Sequence, residues 1–382
     1  MYQITNIIYI YLLIILSLII FNIAYVLYSK ENKYMNKKRF NTYKDKIINE
    51  ISYMNKNNEL SKKHIKYFIR KLYFVNNLII YKDVINELKD SKDIESYLQK
   101  SIVIYQVLSK KYLKKNSIKK AYFSYFISEL PIKTLKNNIH IVDALFKGVI
   151  DKSIYCRTNS MIAICKLNSK SLITKALISI SKRNLYYNNK LLEENLSLYK
   201  GNKDSLIKEL LYNFDKFTNN IKLAIIDYIK YTSGNYTEEL YDLFVSKKYD
   251  KEINLAIIRY FGKYEYPKIL NPLLEIVNDY KDYDIEYTIV ISQALSLYNL
   301  KNVKYTLIEL LSNDNWYVRK NAANSLMKLS LTDKEYYEIE NIKDKYGKEM
   351  LEYSLNNNKI IKHKESKSNE KKERKDKVWI NS

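Results

Sequence analysis

Two stretches of this chain are near copies of each other. NIKLAIIDYIKY begins at Asn220 and EINLAIIRYFGKY at Glu252, and both read apolar, polar, Leu-Ala-Ile-Ile, charged, Tyr, apolar, an offset of 32 residues. A third copy, SIKKAYFSYFISEL from Ser117, keeps the frame. Sliding that frame along the chain sets its first apolar position at Ile118, Cys156, Ile221, Ile253, Tyr287 and Val318, with a weak copy near Lys190. The steps, roughly 31 to 38 residues, are those of helical solenoids. Eight residues after each start stand Phe126, Ile164, Ile229, Phe261, Leu295 and Leu326, all apolar. Apolar residues spaced three, four and eight apart form one stripe on a helix. Each such helix is preceded by a second one of similar character: Ile139 to Ile150, Leu172 to Ile180, Leu206 to Phe214, Glu238 to Val245, Ile269 to Val277 and Val303 to Leu311. A lone helix pair of this size has too little partner surface to bury both apolar faces, and stacking against neighbouring pairs supplies it.

Composition points the same way. The 382 residues include only 5 Gly and 3 Pro, so the sharp turns of β-sandwiches and the phosphate-cradling loops of nucleotide-binding α/β folds have little to be built from. With 47% hydrophobic and 28% charged residues the chain can bury a sizeable core, and an all-α fold is expected. Cys156 and Cys165 stand nine apart in one predicted helix, neither a redox pair nor a metal knuckle, and read as small buried hydrophobes in a reducing compartment.

The last copy, TLIELLSNDNWYVRKNAANSLMKLS from Thr306 to Ser330, resembles a HEAT repeat. Leu310 and Leu311 match the paired leucines that end the first helix of that family, and Asp314 the Asp that opens the turn. Val318 and Arg319 match the Val-Arg pair of the second helix, Ala322 and Ala323 its small packing residues, and Leu326 closes the buried stripe. The match is strongest over 268–330. It implies an α-solenoid, a HEAT-like superhelix, over 116–355, in which Arg319 would join an Asp–Arg ladder running along the repeats. Asp314 is expected to cap the second helix. In the other copies the Arg column reads Lys119, Arg157, Lys222, Asn254 and Thr288, so a ladder would be incomplete, and the family's proline survives only as Pro267 and Pro272. Tetratricopeptide repeats share the period, but their Trp-Leu-Gly-Tyr spacing is absent.

Ahead of the array, Met1 to Ser29 carries no charged residue and Ile7 to Leu27 is almost continuously apolar. About 20 such residues cross the hydrocarbon core of a bilayer. A cleaved signal peptide would need a basic start, a shorter apolar stretch and small residues before the cut, and none is present. Tyr25 and Tyr28 suit an interfacial aromatic belt, and Lys30, Lys33, Lys37, Lys38 and Arg39 follow at once. The positive-inside rule then makes 1–29 a single-pass anchor in the cell membrane with the C-terminal domain cytoplasmic. The five basic residues are candidate contacts to anionic lipid, and they also suffice as a stop-transfer flank. The expected organisation continues with a basic juxtamembrane linker over 30–46, a helical N-terminal part of the array over 47–115, and a basic disordered tail over 356–382.

No catalytic chemistry is legible. His64, His140 and His363 stand far apart, no metal-ligand spacing joins them to a Cys or carboxylate, and no HExxH, GxGxxG, GxSxG or Walker-type loop occurs. Glu193 with Glu194, Glu238 with Glu239, and Asp282 with Asp284 read as solvated faces or caps. No cofactor, metal or enzymatic activity is expected. Trp316 suits either a concave binding surface or burial between repeats. The formal charge of +23 has two readings, an anionic partner or the Lys, Ile, Asn and Tyr that AT-rich codons specify. The resemblance implies a scaffold for protein–protein interaction at the cytoplasmic face of a bacterial membrane, with an envelope or polysaccharide assembly enzyme as partner by analogy. Nucleic-acid binding of the glycosylase kind and a lyase-like HEAT enzyme are the alternatives, and nucleic acid is the less expected partner.

Overall fold

The computed structural model describes residues 2–279, 283–329, 331–332, 335, 337 and 345–354; the tail expected over 356–382 lies outside them. The fold is all-α, with no strand among the described residues. It divides into two compact units, Met1–Tyr187 with Asn195–Lys216, and Asn188–Glu194 with Phe217 onward.

The first unit opens with α1 (Tyr2–Asn57), a single 56-residue helix. Its N-terminal half includes a window of mean hydropathy 2.4, none of it buried against the protein, so by length and composition it can cross a membrane. The stretch expected as a linker, 30–46, is the middle of this helix: it contains no Gly or Pro to break the hydrogen-bond ladder. Further on, Tyr43, Ile47, Glu50 and Met54 form a buried i, i+4, i+7, i+11 stripe. That stripe packs on α2 (Lys62–Lys71), α3 (Val75–Glu87) and α4 (Ile94–Lys100). α5 (Ile102–Tyr112) leads into α6 (Ser117–Glu129), α7 (Ile139–Val149), α8 (Ile154–Lys166), α9 (Lys170–Lys182) and α11 (Lys203–Tyr212), with α10 (Asn189–Leu196) straddling the division. Two layers result: α5, α7, α9 and α11 follow one another, and α6 packs on α8.

The second unit repeats the plan. α12 (Asn219–Thr232), α14 (Lys251–Phe261), α16 (Ile285–Ala294) and α18 (Trp316–Leu326) stack in sequence. α13 (Thr237–Val245), α15 (Leu270–Asn278) and α17 (Lys301–Leu310) each pack on the helix that follows. Every frame start read from the sequence falls in the first turn of α6, α8, α10, α12, α14, α16 or α18, and the six positions eight residues on are fully buried. The first position is less uniform: Ile118 is 75% exposed, because the buried stripe of α6 begins a turn later at Ala121.

Asparagine does work that glycine usually does. Asn116, Asn138, Asn202 and Asn315 cap helices, each accepting a backbone N–H through its side chain. Asn58, Asn168 and Asn184 take positive φ just beyond helix C-termini, whereas no glycine does. The glycines serve close approach instead. A Cβ on Gly262 would lie 3.1 Å from the Ala294 backbone, so α14 and α16 meet where neither carries a bulky side chain.

Candidate functional site

The basic residues after the candidate span divide in two. Lys30, Lys33, Lys37 and Lys38 are exposed, the first three on one stripe of α1, whereas Arg39 is half-buried, with Nη1 3.5 Å from Asn36 Oδ1. α2 runs antiparallel to α1: Ser61 and His64 meet Glu50, and Phe68 meets Tyr43. Lys71 therefore comes to the level of Lys38 and Arg39, where all three line one cleft with Met35 and Thr42.

A buried polar chain pins this end of α1. Glu50 accepts from the Ser61 hydroxyl at 3.0 Å and lies 3.3 Å from His64 Nδ1. His64 Nε2 meets the Tyr97 hydroxyl at 3.0 Å, and Tyr81 bonds both Tyr97 and Tyr105. Burial, with Lys46 nearby, holds the His64 imidazole down at about 4, so it is neutral at pH 7. Every member is spoken for by a neighbour in the core, and this chain orients α1.

Val318, Ala322, Ala323 and Leu326 form the buried face of α18. Asp314 does not cap it. The cap is Asn315, whose Oδ1 accepts from the Tyr317 and Val318 N–H groups at 2.8 and 3.3 Å, while Asp314 faces solvent. The extended backbone at Asn315 aims its short amide at the first turn, and Asp314 sits one residue too early for that. Arg319 Nη1 donates to the Asn313 and Asp314 carbonyls at 2.7 and 3.0 Å. Arg157, in the same frame column, donates from Nη1 to the Asp151 and Lys152 carbonyls, and Asn254 reaches the Tyr249 carbonyl. The column thus ties each turn to its own helix. Two of its members also reach the next repeat, Arg157 Nη2 through the Tyr186 carbonyl and Asn254 through the Tyr287 hydroxyl, and further links pair Lys120 with Asp151, Asn219 with Asp250, and Lys251 with Asp284 and Glu286.

On the second unit an aromatic edge stands open where α16 and α18 begin. Tyr283, Trp316 and Tyr317 are 40, 43 and 60% exposed, which settles Trp316 as a surface residue. Of these, Tyr283 also lines a cleft of about 380 Å³, with Phe244, Val245, Lys247, Asn254, Pro272, Glu275, Ile276 and Tyr287. Pro272 fits as the third residue of α15, where its missing N–H would have no helical partner. Lys247 holds φ at 52°, a left-handed conformation that a lysine adopts at a cost. Asn254 Nδ2 donates to the Tyr287 hydroxyl at 3.3 Å, and among the described residues nothing bonds its buried Oδ1. The cleft therefore combines apolar walls, one free acceptor, one cation and one carboxylate. Sequence reasoning passed over it because its residues come from four helices and two turns. The one local signal was Tyr287, the aromatic at the frame start.

Among the described residues no cluster of three or more His, Cys, Asp and Glu forms a metal site. Both cysteines are fully buried, and burial raises the Cys156 thiol to about 11 and the Cys165 thiol further. Of the carboxylate pairs, Glu238 bonds Lys268 and the Tyr266 hydroxyl, and Asp284 precedes α16 and pairs with Lys251; Asp282 lies outside the described residues. His140 is half-buried on α7, apart from His64, and His363 lies outside the described residues. The fold and its surfaces define an all-α protein of stacked helix pairs with one candidate membrane span. No family model matches the chain, and neither does any curated protein sequence.

Proposed function

We propose that this chain is a membrane-tethered scaffold of HEAT-like repeats that holds a protein partner at the cytoplasmic face of the membrane, and that it performs no catalysis. One observation carries the binding role: the aromatic edge of the second unit opens into a cleft with an unbonded Asn254 Oδ1, a combination suited to a peptide segment. Aromatic side chains bring large contact area at low entropic cost, and a buried acceptor without a partner favours a donor that arrives with a ligand. A backbone N–H set between apolar side chains meets both requirements. Support for tethering comes from α1, whose unburied apolar half continues into its packed half without a break.

The test is site-specific photocrosslinking in the membrane of the native cell. A photoreactive amino acid at Tyr283, Tyr287 or Trp316 is expected to capture one and the same protein, and at exposed Tyr212 of the first unit to capture none. Equal capture at all four positions, or none at the three edge positions, sinks the scaffold reading.

A further inference from the structure

The turn between α2 and α3 presents Tyr73 and Phe74 to solvent, 39 and 59% exposed. They share an open cleft of about 630 Å³ with Lys66, Arg70, Lys111 and Lys114, four exposed cations and no acid. Lys115 closes the cluster, its Nζ 3.3 Å from the centre of the Tyr73 ring and donating to the Tyr73 carbonyl at 2.6 Å. Two large aromatic groups are left wet, and the cations around them repel one another.

The position of the turn relative to α1 accounts for both. The antiparallel register of α1 and α2, fixed by Glu50 against Ser61 and Tyr43 against Phe68, brings the turn level with Met35 to Arg39. From Ser29 to Arg39 is about 15 Å of helix at about 1.5 Å per residue. The headgroup layer extends some 5 to 7 Å beyond the hydrocarbon, and a Lys, Arg or Phe side chain reaches roughly as far again. Since α1 is unbroken, this height above the membrane is set by the fold.

We propose that the α2–α3 turn is a second membrane contact, in which Arg70, Lys111 and Lys114 bind anionic lipid headgroups while Phe74 and Tyr73 enter the interface. This rests on the reading of α1 as a membrane span. Anionic lipid matches both halves of the surface: its phosphate takes the cations, and the headgroup layer, where Tyr and aromatic rings collect, takes Tyr73 and Phe74. With Lys30, Lys33 and Lys37 on α1, the turn gives a second point of attachment, which fixes the tilt of the first unit as a single helix would not.

The full chain reconstituted in vesicles tests this, because Cys156 and Cys165 are buried and a single introduced cysteine takes the label. A polarity-sensitive fluorophore is attached in turn through Phe74→Cys, Ile20→Cys and Tyr212→Cys. In vesicles of phosphatidylcholine with phosphatidylglycerol, a headgroup-borne quencher is expected to quench the label at 74 several-fold more than the label at 212. Phosphatidylcholine alone should abolish that difference, and each of Lys111→Gln and Lys114→Gln should weaken the association about fivefold. If the label at 74 is quenched no more than that at 212 while an acyl-chain quencher reaches the label at 20, the turn does not dock and the span stands. If the label at 20 is not reached, the span reading and the proposal fall together. Equal quenching at 74 with and without phosphatidylglycerol overturns the headgroup recognition.

Discussion

Lys247 occupies a backbone conformation that asparagine holds at Asn58, Asn168 and Asn184. Its Cβ meets the following carbonyl there, a conflict costing about 1 kcal/mol or more. Lys247→Gly is therefore expected to raise stability by roughly 0.5 to 1 kcal/mol in denaturant unfolding, since relief of that conflict exceeds the entropy glycine gains when unfolded. Asn315 provides a sharper contrast with its neighbour. Removing the cap in Asn315→Ala is expected to cost about 1 kcal/mol. Asp314→Ala, at an exposed residue outside the cap, should stay within about 0.5 kcal/mol, and a reversed order would mean the cap is misassigned. His64 supplies a pH dependence. Its folded pKa of about 4 lies below the ordinary 6.5, so between those values the unfolded chain binds the proton and the folded one does not. Stability is then fully present above about pH 6.5 and falls as pH drops toward 4, by roughly 3 kcal/mol in all. In His64→Asn the slope of unfolding free energy against pH should flatten over that window.

At the scale of helices, the close approach of α14 and α16 depends on Gly262 facing Ala294. Gly262→Val puts branched carbon where the backbone of α16 already lies, and the expected loss is about 1 to 3 kcal/mol. Gly262→Ala should cost far less, since its Cβ needs only a few tenths of an ångström, and a thermal unfolding series over the two variants checks the ordering. This is also the scale at which repeat period and helix layout coincide. An apolar pattern stepping by a little over thirty residues is enough to call for helix pairs, and α6 to α18 follow it, with an Asn, Asp or Ser at most helix entrances. What period alone could not supply is the side-chain ties. Arg157 and Arg319 close their own turns through carbonyls, Arg157 also reaches the Tyr186 carbonyl one repeat on, and Lys, Asn and Asp residues outside the column add further links.

For the molecule as a whole, the orientation of α1 is the quantity most open to direct measurement. Lys30 through Arg39 follow the apolar stretch and no cation precedes it, so a C-terminal fluorescent-protein fusion is expected to glow and an alkaline phosphatase fusion to be inactive. The opposite pattern would place the repeats outside the cytoplasm. Deleting the first 29 residues should turn the protein from one that only detergent extracts into one that high salt releases from the membrane, because none of the apolar window is buried against the rest of the chain.

The repeated apolar frame and the uncharged start were both legible in the residue order, because helical periodicity and bilayer thickness are local properties of a chain. The sequence determined by itself that this protein is helical, that its helices come in pairs, and that one stretch can span a membrane. Only the tertiary structure decided that 30–46 continues the same helix, that Asn315 and not Asp314 caps α18, and that Trp316 faces water. It alone brought Asn254 to Tyr283 and Phe74 to Lys111. Such surfaces join residues distant in sequence, and their positions depend on how neighbouring helices settle against one another, which no local pattern encodes.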